Sequence, residues 1–463
     1  MTEALRLKPA PNRRVFAAIL GLLLLGRLSF AALVYAKPQL AIANDSDRYV
    51  PIANSILSGK AYAWNTERPG ELLNTIGYPL FLAGVFATLG HDAGDVAIAQ
   101  LLATGVVALL VFAVLTRWLG AAAAFLAAVL LALDPLTILW SMTILTETLF
   151  AVTLGIGAVL LAYWAHSQNR LVLAAAGLFV GLACLVKPFA MLIAAIWAVG
   201  LVLFPQQGDG AITRSLSWGI RRGLLFLLPP IVLVGPWFVR NALLWNCAAL
   251  SSVDRVTMRD YMAAKVLSEA EHLDLGEAQK RLQEADPGVC PSHTAKYWQI
   301  LLAHPGIYAR LHIAGTVPVL IATSFDRWLQ YFGTEYTLPD LWRPYMDGGL
   351  NGLISVIGQQ LHEFPRGIGV MLALTLYQLV LYASAAAGTV AAFRAAPAAT
   401  KWSAVVLLAA IFVLVLTPGQ GGHERFRVPV QPLLAILIGY GAEWSMSRSS
   451  SRGMVPRRGQ PVS

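Results

Sequence analysis

The sequence predicts an all-α polytopic membrane protein. Of its 463 residues, 57% are hydrophobic and only 13% are charged, whereas roughly a quarter of the residues in soluble domains are charged. The mean hydropathy is +0.63, and long apolar stretches recur along the chain. This composition excludes a soluble globular enzyme, a disordered regulator and a disulfide-stabilised scaffold.

Ten stretches are candidate membrane spans, because a hydrocarbon core about 30 Å thick takes about 20 apolar residues per helix. A further segment, 307–324, is apolar but contains Pro318, so it is an extra span or a re-entrant segment. The ten stretches are 15–36, 95–117, 119–137, 145–165, 170–187, 189–204, 223–244, 367–393, 401–417 and 428–446.

The lysines and arginines indicate which loops face the cytoplasm. They are concentrated in the N-terminal tail, at Arg117 and Arg170, and in 205–222, 394–401 and 447–463, where acidic residues are few. The positive-inside rule makes these segments and both termini cytoplasmic, which requires an even number of spans. The net charge of +9 is therefore mostly a topology signal, and we expect no nucleic-acid partner.

This topology divides the chain into parts with different roles. The outer connections are longer and hold most of the acidic residues, so we expect the protein to act on the outer face. We expect a transmembrane module at 1–244 with its first outer loop at 37–94, outer loops at 245–366 that include the apolar segment 307–324, C-terminal transmembrane helices at 367–446 and a cytoplasmic basic tail at 447–463.

Two cysteines, Cys247 and Cys290, share the second outer loop. They could pair if that compartment is oxidising, and the sequence leaves the pairing open. No Cys/His cluster has zinc-ligand spacing.

Two positions combine acidic side chains with the outer membrane edge. Asp45 and Asp47 begin a short helical pattern after the first span, where an acid is either a helix N-cap or a general base at the bilayer surface. Glu147 begins a span among apolar neighbours, where an acid is either a first-turn residue or functional. Asp134 precedes Pro135, which favours a turn or cap role.

Several basic residues on the outer side run against the positive-inside bias. The simple interpretations are snorkelling, pairing with Glu424, or contact with lipid headgroups. The functional interpretation is a phosphate site, because arginine presents a bidentate fork and lysine a point charge. These residues are Lys187, Arg240, His423, Arg425 and Arg427.

Six segments resemble a known family when they are taken in order. They are DSDRYVPIANSILSGKAY, GYPLFLAG, LTETLF, GLACLVKP, GPWFVRN and ERFRVPVQPLLAILIGYG. Together they resemble the membrane-embedded GT-C glycosyltransferases of the protein O-mannosyltransferase and aminoarabinose-transferase superfamily (glycosyltransferase family 39 and relatives). The resemblance implies a GT-C type bundle of about 10–11 transmembrane helices with interfacial helices and loops on the outer face.

The resemblance also implies an activity. Members move a sugar, with inversion, from a polyprenyl-phosphate donor to an acceptor, here a hydroxyl or phosphate of a lipid, glycan or protein. The protein would work in a bacterial inner membrane with its site facing the periplasm. The sugar and the acceptor stay open.

The resemblance assigns roles to individual residues. It implies Asp45 rather than Asp47 as the catalytic base, with Asp47 as a possible secondary acid, and Glu147, at the second acidic position, as a further catalytic residue. Ser46 departs from the family, where many relatives carry Glu. We expect the donor phosphate to be bound by Lys187, Arg425, Arg427, His423 and Arg240, and the substrates by Arg48, Tyr49 and Tyr78.

Other possibilities stay open at this point. A divalent metal near Asp45 is possible, although no ligand set indicates one, and no cofactor is expected with certainty. A transporter or flippase of lipid-linked sugars is the alternative function, and it predicts polar residues deep inside several spans. A non-catalytic scaffold would leave the outer charges unexplained.

Overall fold

The computed structural model describes residues 13–43, 45–60, 62, 72–204, 216–286, 290, 294–334, 351–352, 354–356, 358–359 and 365–452. Within these residues the regular structure is helical, without a strand, which confirms the all-α class. The basic N-terminal tail before Arg13, the loop 205–215, the tail after Arg452 and the loop centres 63–71 and 335–350 lie outside the described residues.

The helices follow one another with short connections. Short 3₁₀ helices occur at Leu28–Phe30, Pro38–Ala41, Gly419–Gly421 and Glu424–Val430, and a π-helix at Thr257–Ala263. The α-helices are α1 (Arg13–Arg27), α2 (Ala31–Ala36), α3 (Ser46–Leu57), α4 (Gly77–Thr88), α5 (Ala93–Leu115), α6 (Ala121–Ala132), α7 (Pro135–Ser141), α8 (Thr146–Ser167), α9 (Arg170–Val186), α10 (Ala190–Val202), α11 (Leu216–Trp245), α12 (Val253–Val256), α13 (Ala264–Glu271), α14 (Leu275–Ala285), α15 (Ala295–Ala303), α16 (Pro305–Ile321), α17 (Phe325–Tyr331), α18 (Pro365–Ala395), α19 (Ala398–Leu416) and α20 (Gln431–Arg452).

Fewer helices are long and apolar enough to span a membrane than the ten predicted. Among the described residues there are six, formed by α1 with α2 and by α5, α8, α11, α18 and α19. The pairs α6–α7 and α16–α17 are bent by 46° and 48°, and they raise the number to eight if each is one span. The predicted spans 170–187 and 189–204 are the shorter helices α9 and α10.

Local chemistry explains two of these interruptions. Between α6 and α7 the side chain of Asp134 accepts a hydrogen bond from the Thr137 backbone at 2.8 Å, with Pro135 as the first residue of α7. This is the cap role predicted for Asp134. Between α9 and α10 the chain leaves helical geometry at Lys187, directly before Pro188, because a residue before proline disfavours the helical region.

Helix α8 lies at the centre of the bundle. Of its most apolar stretch, 83% is buried, against 22% for α11 and 17% for α18. Two pairs of helices cross closely at a glycine. Gly177 of α9 lies against the carbonyl of Phe226 in α11, and Gly388 of α18 lies against the carbonyl of Leu437 in α20. A Cβ atom at either glycine would overlap that carbonyl, so these small residues permit the close approach.

The two ends of α8 differ in chemistry. At its C-terminal end, Arg117 donates to Tyr163 and Arg222 to Gln168. Glu147 lies in its first turn. The 22 residues of α8 span about 33 Å at 1.5 Å per residue, which is about the thickness of a hydrocarbon core. The basic turns predicted to be cytoplasmic and the candidate site therefore lie at opposite ends of this helix.

Residues 247–286, 290 and 294–303 form a helical lobe with its own small apolar clusters. The structure joins Cys247 to Cys290 in a disulfide, the pairing that the sequence left open. Asp286 accepts from Arg255 at 2.5 Å and from Lys296 and Tyr297 at 2.6 Å each. The lobe therefore has a covalent and an ionic cross-link in place of a large core.

Candidate functional site

Asp45 stands directly before α3, in the N-cap position, but its side chain makes no capping hydrogen bond. Its two oxygens instead lie 3.1 Å from Arg48 Nη2 and 3.3 Å from Arg425 Nη2. A third of the side chain is exposed. The carboxylate is thus held by two guanidinium groups and remains accessible.

Glu147 lies in the first turn of α8 and is 2% exposed. Its Oε1 atom is 3.0 Å from Lys187 Nζ and 3.4 Å from Arg425 Nε, and Thr146 donates to Oε2 at 3.2 Å. Two cations therefore compensate a carboxylate that burial would otherwise destabilise.

Arg425 connects the two carboxylates. It lies in the 3₁₀ helix Glu424–Val430, which follows the Gly-rich connection after α19. Burial alone would lower the pKa of its guanidinium, but the charges of Glu147 and Asp45 outweigh burial and raise the pKa. Arg425 stays protonated and completes a chain of charges from Asp45 to Lys187.

Three cations face two carboxylates in this cluster: Arg48, Lys187 and Arg425 against Asp45 and Glu147. One positive charge is therefore in excess. A site of this kind can stabilise an anionic phosphate. Among the described residues, no group of three or more His, Cys, Asp or Glu side chains could hold a metal ion.

The predicted aromatic residues line one side of the cluster. The ring of Tyr49 packs edge-on against Tyr78, with centroids 5.1 Å apart. Tyr78 donates to Gln100 at 3.2 Å, and Gln100 donates to the carbonyls of Ser141 and Thr143. Burial, helped by the two carboxylates, raises the pKa of Tyr49, so it remains neutral.

His423 and Asp47 lie beside the cluster. The Nδ1 atom of His423 is 3.3 Å from the backbone nitrogen of Arg425 and 3.1 Å from Glu424 Oε2, and its ring contacts Trp140. Asp47 is exposed in the first turn of α3.

Arg427 points away from the cluster, contrary to the role expected from the sequence. It is 2% exposed. It donates to the carbonyls of Val319, Leu320 and Ala322 and to Gln378 Oε1, over distances of 2.7–3.0 Å. These carbonyls belong to the C-terminal end of α16, where helix carbonyls lack partners. The Arg427 guanidinium therefore caps the C-terminal end of α16.

Arg240 also lies elsewhere. Its guanidinium stacks on Trp237 at 4.4 Å and on Tyr62 at 5.3 Å, and it donates to Asn241 at 2.6 Å. These contacts place Arg240 beside the first outer loop rather than in the pairing around Glu147.

Sequence reasoning gave Ser46 no role beyond a departure from the family. Its hydroxyl accepts from the Ala43 backbone at 2.9 Å and donates to the Ile144 carbonyl at 2.7 Å. Ile144 in turn donates to the Ala41 carbonyl at 2.9 Å. Ser46 is 1% exposed. Ser46 joins the segment that carries Asp45 to the segment that leads into Glu147. In the sequence, only its position next to Asp45 indicated such a role.

The fold and this cluster define a helical membrane protein with a charged site at one end of its central helix. Residues 74–237 match the family model described as dolichyl-phosphate-mannose-protein mannosyltransferase. The match confirms the resemblance predicted from the sequence, that the chain is similar to GT-C glycosyltransferases. No curated protein matches the chain.

Solved structures with similar folds have low identity. Archaeal oligosaccharyltransferase AglB from Archaeoglobus fulgidus, in complex with an inhibitory peptide and a dolichol-phosphate, is 14% identical, with a TM-score of 0.44 over 95% of this chain and 52% of that chain. ArnT from Cupriavidus metallidurans, bound to undecaprenyl phosphate, is 16% identical, with a TM-score of 0.37 over 98% of this chain and 82% of that chain. The chain thus spans about half the length of the archaeal enzyme.

Proposed function

We propose that the protein is a membrane glycosyltransferase that moves a sugar from a polyprenyl-phosphate donor to an acceptor on the outer face of a bacterial inner membrane, with inversion. One observation carries the proposal: a partly exposed carboxylate, Asp45, shares Arg425 with the buried Glu147–Lys187 pair. A potential base and an excess of positive charge thus meet in one site. The family match over 74–237 supports this assignment.

In this proposal Asp45 is the general base. It accepts the proton of the acceptor hydroxyl while that oxygen forms a bond to the anomeric carbon. The bond from the anomeric carbon to the phosphate oxygen breaks on the opposite face, so a single displacement inverts the centre. An acceptor that is already an anionic phosphate would need no base.

Lys187 and Arg425 are proposed to stabilise the leaving phosphate. Negative charge grows on the phosphate as the bond breaks, and fixed cations in a site of limited hydration lower the energy of that charge. Glu147 positions both cations and does not touch the reacting atoms. When a phosphate takes over part of the Arg425 guanidinium, Asp45 loses one of its two partners and is free to contact the acceptor hydroxyl.

A transfer assay tests the proposal. The protein in nanodiscs is supplied with undecaprenyl-phosphate sugars and a membrane extract that contains acceptors. The natural donor and acceptor are identified by comparing the lipids and glycans of a deletion strain with those of its parent. We expect Asp45→Asn to lower transfer by on the order of 10³-fold. Glu277→Gln, at an exposed position on α14 away from the cluster, is the control. Near-normal turnover by Asp45→Asn would refute the assignment.

The flippase alternative has one observation in its favour. A pocket away from the cluster is lined by the buried side chains of Asp134, Gln378, Arg427 and Gln431. Thr323, Tyr377 and several apolar residues complete the lining. Polar groups at this depth are typical of transport paths. Movement of a fluorescent polyprenyl phosphate across proteoliposome membranes, without sugar transfer, would favour this function over ours.

A further inference from the structure

Phe426 contacts both cations that we assign to the donor phosphate. The centre of its ring is 5.1 Å from Lys187 Nζ and 5.1 Å from Arg425 Cζ. The residue lies in the same 3₁₀ helix as Arg425, whereas Lys187 comes from the end of α9. One aromatic ring therefore lies beside two positive charges that belong to distant parts of the chain.

Lys187 has a second aromatic neighbour. The ring of Phe150, one turn after Glu147 on α8, lies 5.9 Å from Nζ. Only 22% of the Lys187 side chain and 24% of the Arg425 side chain are exposed. Solvent therefore screens the repulsion between these two positive charges only weakly.

An aromatic ring is suited to this position for an electrostatic reason. Its face carries partial negative charge that attracts a cation, and the attraction grows as water is excluded. A leucine or methionine side chain would fill similar space without that charge. The carboxylate of Glu147 lies within ion-pair distance of the same two cations, so ring and carboxylate both contact each positive group.

We propose that Phe426 is a positioning residue that holds Lys187 and Arg425 together, so that both act on one lipid-linked phosphate. The inference rests on the proposed function and extends it from two cations to a preorganised pair. Preorganisation matters because side chains that are already fixed lose less entropy on binding. Phe426 itself need not touch the donor.

The experiment measures the binding of undecaprenyl phosphate to the full-length protein in nanodiscs. The variants are Phe426→Leu and Phe426→Met, which lack the aromatic face, and Phe426→Tyr, which keeps it. The matched control is Phe412→Leu, because Phe412 is 65% exposed on α19. Thermal unfolding of each variant reports whether it is folded.

We expect the two aliphatic variants to weaken binding about threefold to tenfold, the range of one or two cation–π contacts. Phe426→Tyr should bind nearly as well as the wild type, and Phe412→Leu should be unchanged. In transfer assays the donor KM should rise in the aliphatic variants while the pH profile stays the same, since the base is untouched.

The outcomes separate this inference from the proposed function. If the wild type does not bind undecaprenyl phosphate, the proposed function fails first. If the wild type binds and a folded Phe426→Leu or Phe426→Met binds equally well, the positioning role is wrong and the proposed function stands. Equal weakening by Phe426→Tyr would likewise overturn the role of the aromatic face.

Discussion

The guanidinium of Arg425 lies 3.3 Å from the carboxylate of Asp45, although 380 residues separate them in the sequence. The segment that leads into α3 and the segment that follows α19 therefore meet over the start of the central helix, α8. There Arg425 also reaches Glu147. This meeting turns two isolated sequence signals into one charged cluster.

Glu147→Gln should lower transfer by about a hundredfold, because Lys187 and Arg425 lose the charge that positions them. Removing one partner of a buried ion pair also destabilises a fold strongly, so the Tm should fall. The measurements are initial rates in nanodiscs and thermal unfolding. Glu277→Gln, at an exposed position on α14, should change neither quantity. A variant with normal rates would remove Glu147 from the site.

Ser46→Ala should lower kcat about tenfold and leave the donor KM nearly unchanged. The substitution removes the bridge between the Ala43 and Ile144 backbones and leaves a buried carbonyl without a donor. Steady-state kinetics with varied donor would separate the two parameters. Ser58→Ala is the control, because the Ser58 hydroxyl is exposed and bonds locally to Ser55. A rise in donor KM alone would contradict a role in placing the base.

Arg425→Gln and Arg427→Gln should behave differently, although the two residues are neighbours. The first should raise the donor KM or abolish binding, because Arg425 belongs to the charged cluster. The second should lower the Tm with little change in donor binding, because the carbonyls of Val319 and Ala322 lose this donor. Binding of undecaprenyl phosphate and thermal unfolding test both. Equal loss of binding by two well-folded variants would restore Arg427 to the phosphate site.

The helical lobe should lose stability in acid through Asp286. Burial would raise the pKa of this carboxyl, but contacts with Lys296, Tyr297 and Arg255 outweigh burial and hold it below the ordinary value of 3.8. Ionised Asp286 therefore contributes stability above the unfolded pKa, and this contribution is lost as the pH falls towards the lower folded pKa. Hydrogen exchange in α13–α15 should accelerate between about pH 4 and pH 2.

Asp286→Asn separates this effect from general acid unfolding. The variant should exchange faster than the wild type at neutral pH and should show a weaker dependence on pH, because it has no carboxyl group to protonate. If the wild type and the variant have the same pH profile in α13–α15, the Asp286 contacts do not stabilise the lobe.

Peptide mapping without reduction should recover Cys247 linked to Cys290. Breaking the link with Cys290→Ser should cost about 2–4 kcal/mol of lobe stability, measured as faster hydrogen exchange in the same helices. Cys184→Ser, at the buried free cysteine, controls for loss of a thiol. Recovery of two free thiols from protein purified without reductant would show that the bond does not form.

The sequence predicted the fold class because hydropathy is a local property of each segment. It predicted the number of spans less well, because proline and buried polar residues divide apolar stretches in ways that hydropathy does not register. Asp134 with Pro135 interrupts the predicted span 119–137, whereas the break at Lys187 and Pro188 lies at the predicted boundary between 170–187 and 189–204. The predicted cap at Asp134 is confirmed, whereas the Asp45 side chain makes no capping bond.

By itself the sequence determined that this is a helical membrane protein, and it singled out Asp45, Glu147, Lys187 and Arg425 as charged residues outside its basic segments. Charge type and hydropathy alone carried that information. Only the tertiary structure decided that Arg425 joins Asp45 and Glu147, that Arg427 closes α16, and that Phe426 lies between two cations. The physical reason is that partners hundreds of residues apart are chosen by helix packing, which no local pattern records.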